Sequence, residues 1–235
     1  MKRSIFILLS AILLFSCKIT DSTTPGTLPD DIGSFDIVSG SPVVNTATSL
    51  CIDYPYLFVS DGSARLTCID IMTPWNIERI SSLNFFNNSS DPIYECVRDS
   101  RNMMYAGLGN SGFFVLNTTN PYAPSVQNFN TDIKCKSISL DENNSYGDLM
   151  AICGDTFWKI YEVIGSGQIL QLSGQDFMSE KVFKKIHIDY PYMYIGSNFS
   201  VDIYDITNPL LPQFIKTETV YYFKDFQFFT PNAEG

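Results

Sequence analysis

The chain has 235 residues, of which 45% are hydrophobic and 14% aromatic, with a formal net charge of −10. It is too apolar for a disordered protein, and its many Phe and Tyr residues favour strands, because aromatic side chains fit the half-buried surface of a sheet. The acidic balance, with no Lys/Arg cluster, argues against nucleic acid as a partner, since phosphate backbones attract positive charge.

The N-terminus carries the pattern of an export signal. Lys2 and Arg3 precede an apolar run from Ile5 to Phe15. A run of this length is too short to cross a bilayer as a helix, which takes about 20 residues, but it suits a cleaved signal. The sequence therefore predicts an exported protein.

The run ends in Leu14-Phe15-Ser16-Cys17, which resembles the lipobox of bacterial lipoproteins, with Phe15 where a small residue is usual. The resemblance implies that residues 1–16 are a lipoprotein signal peptide and that Cys17 is lipidated. It also implies a membrane partner through that anchor, at the outer membrane or cell surface. The alternative is an ordinary secretory signal followed by an unrelated cysteine.

Residues 17–33 are rich in Thr, Ser, Asp, Pro and Gly and have no apolar periodicity. This composition predicts a flexible tether. Residues 34–235 remain as one folded domain, which is long enough for a substantial core.

The folded part repeats with a period of about 45 residues. One marker is a corner ending in proline, which occurs as Asp70 to Pro74, Asn117 to Pro121 and Asp205 to Pro209. A second marker, Ile52-Asp53-Tyr54-Pro55-Tyr56, returns as Ile188-Asp189-Tyr190-Pro191-Tyr192. Two independent markers therefore give the same period.

Each unit is predicted to form four short strands, which in the first unit cover 48–53, 56–60, 65–71 and 77–83. Four strands per unit of this length are typical of a β-propeller blade. The sequence thus predicts an all-β, propeller-like array of four-stranded antiparallel blades, about four in number plus a partial fifth. Val220 to Thr230 would begin the fifth, and Phe35 to Val38 would add its outer strand. The alternative is an open edge.

The corner Asp205 to Pro209, followed by Leu210-Leu211-Pro212, also resembles the LVIVD repeat of bacterial and archaeal surface proteins. The resemblance covers roughly residues 45–220. It implies the propeller fold, and it carries no shared catalytic residues.

Alignment of the first strands predicts one polar ring facing the propeller axis, composed of Cys51, Cys96, Ser139, His187 and Gln227. Two Cys and a His suit a metal, but no paired ligand motif accompanies them, and Cys and His are often structural. We therefore expect no metal and no cofactor. Five cysteines besides Cys17 predict buried free thiols, with one disulfide as the alternative.

No catalytic residues are predicted. The sequence has no G-x-S-x-G motif, and His187 is the only histidine. Asp53, Asp141 and Asp189 recur at strand ends with the repeat, which predicts that they cap turns.

The tyrosines of the second marker have two interpretations. Tyr54, Tyr56, Tyr190 and Tyr192 either form a binding face or fill the gaps between blades. Alanine substitution separates the two, because packing residues affect stability rather than binding.

These features predict a lipid-anchored, non-enzymatic module that binds an extracellular or envelope protein or glycan. One alternative is an envelope polysaccharide hydrolase, which requires two facing carboxylates about 5–10 Å apart. Another is a structural or assembly lipoprotein whose open blade edge accepts a partner's strand.

Overall fold

The computed structural model describes residues 47–61, 64–72, 78–84, 91–165, 167–177, 181–221, 223 and 225–226. It also describes the backbone of two short strands, β1 (Cys17–Lys18) and β2 (Asp36–Ile37), which pair antiparallel. The predicted signal peptide, most of the predicted tether and Gln227 lie outside the described residues.

Sixteen further strands form four antiparallel sheets, which we number as blades in chain order. Blade 1 contains β3 (Ala47–Asp53), β4 (Tyr56–Asp61), β5 (Arg65–Asp70) and β6 (Glu78–Asn84). Blade 2 contains β7 (Glu95–Arg98), β8 (Met103–Gly107), β9 (Phe113–Asn117) and β10 (Ser125–Asn130). Blade 3 contains β11 (Ser137–Asp141), β12 (Leu149–Cys153), β13 (Phe157–Ile164) and β14 (Gln168–Asp176). Blade 4 contains β15 (Lys185–Asp189), β16 (Tyr192–Gly196), β17 (Ser200–Asp205) and β18 (Gln213–Thr219).

The strands of each blade pair in sequence order, as in a β-propeller, so the predicted all-β fold with four four-stranded blades is confirmed. A single 3-10 turn, Gly109–Ser111, joins β8 to β9. In the part of the chain that the structure describes, no helix is long and apolar enough to cross a membrane.

Burial falls from the inner to the outer strands of a blade. Every residue of β8 and β12 is buried, whereas every residue of β10 and β18 is exposed. The second strands are apolar at successive positions because both faces of a blade pack against neighbouring blades. The core therefore lies between the blades and close to the axis.

The repeated corners have the same geometry in different blades. The side-chain oxygens of Asp70, Asn117 and Asp205 accept the backbone N–H two residues later, at 2.7, 2.9 and 2.8 Å. These Asx turns end the third strands. Hydrogen bonds from Thr207 lower the pKa of Asp205.

Three apolar clusters fill the spaces between successive blades. Blades 1 and 2 meet around Phe58, Leu66, Met104 and Phe114. Blades 2 and 3 meet around Tyr105, Phe113, Met150 and Tyr161. Blades 3 and 4 meet around Trp158, Ile160, Ile186 and Tyr204. Among the described strands no comparable contact joins β15 to β3, so the four blades form an arc.

The start of a fifth unit lies against blade 4. The Phe223 N–H donates to the Asn198 carbonyl at 3.0 Å, and the Phe183 N–H donates to the Asp155 carbonyl at 2.8 Å one blade earlier. Phe223 is buried against Gly196. The segment after Val220 thus docks as the preceding unit does, although none of its described residues is in a strand.

The outer strand expected from Phe35 to Val38 is found elsewhere. Asp36–Ile37 pairs with Cys17–Lys18, close to it in the chain. A short loop costs less closure entropy than pairing across the whole domain. In the described residues this segment therefore does not complete the fifth unit.

Candidate functional site

The first strands β3, β7, β11 and β15 lie side by side around the axis, and each is an edge of its own sheet. An edge strand has outward N–H groups that lack a ladder partner. In the arc, side chains of one first strand accept hydrogen bonds from the N–H groups of the next. We call this the axial ladder.

Five contacts make up the axial ladder. From blade 1 to blade 2, Ser49 Oγ accepts from the N–H of Cys96 at 3.2 Å. From blade 2 to blade 3, Glu95 Oε2 accepts from the N–H of Ile138 at 2.9 Å. From blade 3 to blade 4, Ser137 Oγ, Ser139 Oγ and Asp141 Oδ2 accept from Ile186, Ile188 and Tyr190 at 3.1, 3.0 and 2.9 Å.

The structure places three residues of the predicted polar ring at one position. Cys51, Ser139 and His187 pair across their hairpins with Phe58, Ala151 and Tyr194, which are equivalent residues of the second strands. Ser139 belongs to the axial ladder, and Cys51 packs against the cluster between blades 1 and 2, so both side chains contact the next blade.

Cys96 does not belong to this position. It pairs with Ala106 and is buried in the core between blades 1 and 2, while Val97 pairs with Tyr105 and lines the axis. The turn between β7 and β8 is longer than the Tyr54-Pro55 turn, which moves the register by one residue. A one-residue shift transfers a side chain to the opposite face of a strand.

A groove of about 360 Å³ opens on the axis beside blades 2, 3 and 4. We call it the axial groove. It is lined by Glu95, Val97, Ile138, Ser139, Leu140, Lys185, Ile186, His187, Asp225 and Phe226. Its volume falls within the range of small-molecule sites, roughly 300–1,000 Å³.

The floor of the axial groove carries a network of charges. Lys185 Nζ donates to Glu95 Oε1 at 2.6 Å and lies 3.7 Å from Asp225 Oδ1. The other Glu95 oxygen accepts from Ser137 Oγ at 2.5 Å. Burial alone would lower the pKa of Lys185, but the Glu95 carboxylate outweighs it and raises that pKa. The ammonium is therefore charged at neutral pH.

His187 forms one wall of the groove. Its Nδ1 lies 3.5 Å from Ser139 Oγ, and its ring centroid lies 6.1 Å from that of Phe226. Burial lowers the pKa of His187, although Asp189 and Asp141 oppose the shift. The imidazole is thus neutral at pH 7, which leaves it one donor and one acceptor nitrogen.

The cysteines are free thiols in the part of the chain described. Cys68, Cys96, Cys135 and Cys153 are buried, and Cys51 is half-buried. Burial raises the pKa of Cys68 to about 12 and that of Cys96 to about 12. Among the described residues, no group of His, Cys, Asp and Glu could hold a metal ion.

The four tyrosines divide according to their neighbours. Tyr56 packs on the cluster between blades 1 and 2, and Tyr190 packs between blades 3 and 4, where its hydroxyl donates to the Thr207 carbonyl at 3.0 Å. Tyr54 and Tyr192, at the two ends of the arc, are 70% and 41% exposed. Tyr56 and Tyr190 thus pack in the gaps between blades, and a binding face formed by the four tyrosines stays a prediction.

The predicted turn-capping aspartates hold neighbouring blades. Asp141 accepts the Tyr190 N–H, and Asp53 forms an ion pair with Arg98. Glu95, Lys185 and Asp225, which carry the charge of the groove, were not predicted from the sequence. Each of the three lies two positions before Val97, His187 or Gln227 in the sequence. This recurring charged position was the signal that could have identified them.

No known family model matches the sequence, and no curated protein matches it. Solved structures are similar in fold. A protein from Lactobacillus plantarum aligns with a TM-score of 0.63 at 11% identity, over 79% of this chain and 59% of that one. The periplasmic gluconolactonase PpgL of Pseudomonas aeruginosa aligns with a TM-score of 0.61 at 11% identity, over 76% and 58%.

The β-propeller domain of Cps50 (Swd1) from Myceliophteria thermophila aligns with a TM-score of 0.53 at 12% identity, over 73% of this chain and 57% of that one. The chain thus spans less than three fifths of the length of these proteins. At such identities the likeness shows the fold alone. By fold, the chain is an all-β array of four β-propeller blades.

Proposed function

We propose that this chain is a lipid-anchored β-propeller of the bacterial envelope that binds a glycan in the axial groove without converting it. The observation that carries the proposal is the composition of that groove. Carboxylate, ammonium, imidazole and hydroxyl groups converge on a space of about 360 Å³, beside the ring of Phe226.

This combination suits a sugar unit. Charged and polar side chains that are already fixed by other contacts can exchange hydrogen bonds with hydroxyl groups at a small entropic cost. Glu95 and Lys185 are fixed in this way by the axial ladder and by their ion pair. The Phe226 ring offers an apolar face next to them, on which a sugar ring can pack. A flat protein surface would not enter the groove.

The binding test is a calorimetric titration of the purified protein with fragments of envelope polysaccharide. Phe226→Ala should weaken binding at least tenfold, because it removes the stacking ring. Phe199→Ala is the matched control, since Phe199 is 62% exposed in the β16–β17 turn, and it should bind as the wild type does. Unchanged affinity in Phe226→Ala, or no binding of any fragment, would reject the proposal.

The proposed anchor has its own test. Intact mass of the membrane-extracted protein should show acylation at Cys17, and Cys17→Ala should remove it. Lipid that persists in Cys17→Ala would contradict the anchor, and it would leave the glycan site untouched.

A second candidate function is hydrolysis of a sugar ester or lactone. The contact between Ser139 Oγ and His187 Nδ1 favours it, because a hydroxyl beside an imidazole is the pair used in acyl transfer. The fold likeness to a gluconolactonase adds support. Turnover of a sugar lactone that both Ser139→Ala and His187→Gln abolish would establish this function in place of binding alone.

A further inference from the structure

Each end of the arc has one side of the kind of boundary that two adjacent blades form at three places within the arc. At each filled boundary, the first strand of one blade receives side-chain acceptors from the blade before it. Blade 1 has no such blade before it among the described residues. Its outward N–H groups are those of Leu50, Ile52 and Tyr54, the equivalents of Ile186, Ile188 and Tyr190 in blade 4.

Exposure at these positions shows that the end is uncovered. Leu50 is 41% exposed, while Cys96, Ile138 and Ile186 at the same position in the later blades are 2–3% exposed. Ile52 is 37% exposed, and its equivalent Ile188 is 3% exposed. Three neighbouring apolar side chains on an open strand edge are typical of an interaction site.

The opposite end presents the complementary half. Asp225 is the equivalent of Glu95, because each lies two residues after a buried apolar residue that docks on the preceding blade, Phe223 and Ile93. Glu95 accepts the N–H of Ile138, which is the equivalent of Leu50. The Asp225 side chain is 57% exposed and lies 3.7 Å from Lys185 Nζ on β15.

We propose that this end of blade 1 is an interface with a second copy of the chain, joined head to tail. The blade 4 end of the partner copy seats its Asp225 carboxylate on the Leu50 N–H and covers the side chains of Leu50 and Ile52. The interface continues the pattern of the three filled boundaries.

Two copies joined in this way form a closed C2 dimer, in which each copy contributes both kinds of end. Head-to-tail contacts form rings when the rotation between copies closes. Leu50 is not among the residues that line the axial groove, so a variant at Leu50 separates loss of the dimer from loss of glycan binding.

The test is the mass of the full chain in detergent, measured by light scattering from 1 to 100 µM. The wild type should have twice the protein mass of one mature chain. Leu50→Arg should weaken the dimer at least tenfold, because it places a charge in the apolar contact. Leu211→Arg is the matched control, since Leu211 is 65% exposed on an outer corner of blade 4, and it should remain dimeric.

Asp225→Asn provides a second variant at the other end, and it should also weaken the dimer. A wild-type monomer at 100 µM, a dimer unaffected by either variant, or an open series of larger particles would overturn the proposal. Leu50 and Ile52 amides that stay protected from exchange in a monomer would assign the site to a segment of the same chain, which also overturns it. The monomeric Leu50→Arg variant should still bind glycan fragments, so this test is separate from that of the proposed function.

Discussion

The interior boundaries of the arc and its blade 1 end use the same strand positions with different results. Ile138, between blades 2 and 3, is 2% exposed, whereas Leu50 at the same position of blade 1 is 41% exposed. Both are aliphatic, and both lie on a first strand. Burial in a repeat protein is therefore decided by the neighbouring unit, while the sequence of one blade specifies only that its faces are apolar.

The glycines that end the second strands also depend on the neighbouring unit. A Cβ at Gly107 would lie 2.8 Å from both the carbonyl oxygen and the Sγ of Cys135, which is held between two blades. A Cβ at Gly196 would lie 2.1 Å from the Phe223 ring, in the segment that follows blade 4. Both positions need glycine, because the next unit approaches the backbone closely.

The largest expected effect is a difference in the free energy of unfolding between a substitution in the interior and one at the blade 1 end. Ile138→Ala should lower the free energy of unfolding by about 2–5 kcal/mol, because it leaves a cavity in a packed core. Leu50→Ala should cost less than about 1 kcal/mol in the monomer, because much of its side chain already contacts water. Urea unfolding of both variants measures the difference, and equal losses would mean that the blade 1 end is as well packed as the interior.

The axial ladder gives the next largest effect. Ser139→Ala removes the acceptor of the Ile188 N–H, and an unsatisfied buried donor costs roughly 1–3 kcal/mol. Ser125→Ala on the exposed strand β10 should change stability by less than about 0.5 kcal/mol. If the two variants unfold at the same urea concentration, the ladder does not stabilise the arc.

A smaller effect is expected in the rates at which the individual cysteine thiols react with a reagent. Burial raises the pKa of Cys68 to about 12, and it also raises the pKa of Cys135 and Cys153, so these thiols should react slowly at pH 8. Cys51 is half-buried on the first strand of blade 1 and should react first. An aromatic disulfide reagent follows the reaction, and rapid modification of Cys135 or Cys153 would show that the interior boundaries open.

The smallest effect is a dependence on pH. Burial lowers the pKa of His187 below the ordinary value of 6.5, so the unfolded chain takes up a proton before the folded chain does. His187 therefore does not lower the stability of the folded chain above pH 6.5. Below that pH its destabilising effect grows as the pH falls through the lowered pKa. Wild type should lose more melting temperature than His187→Gln between pH 7.5 and 5. Parallel curves would contradict the burial of the imidazole.

The strand pattern was predictable because the corners and Tyr-Pro turns recur with one period, and their Asx turns form at the expected residues. Cys51, Ser139 and His187 were correctly aligned for the same reason. Cys96 was not, since a longer turn between β7 and β8 shifts the register by one residue.

The charges of the axial groove could not be predicted from the period. Lys185 pairs with Glu95 across blade 3, and the contact depends on how tightly the arc curves. A repeat fixes the contacts of neighbouring units, but curvature is the sum of small rotations between them. Sequence therefore predicted the blades better than it predicted the site between them.

Amide hydrogen exchange in protein dilute enough to be monomeric shows whether the neighbouring blade protects the outward N–H groups of the first strands. We expect strong protection at Ile138, Ile186 and Ile188, whose N–H groups donate to the axial ladder. Exchange should be faster by orders of magnitude at Leu50 and Ile52. Equal protection at all five positions would contradict the claim that the neighbouring blade, rather than the strand's own sequence, satisfies these groups.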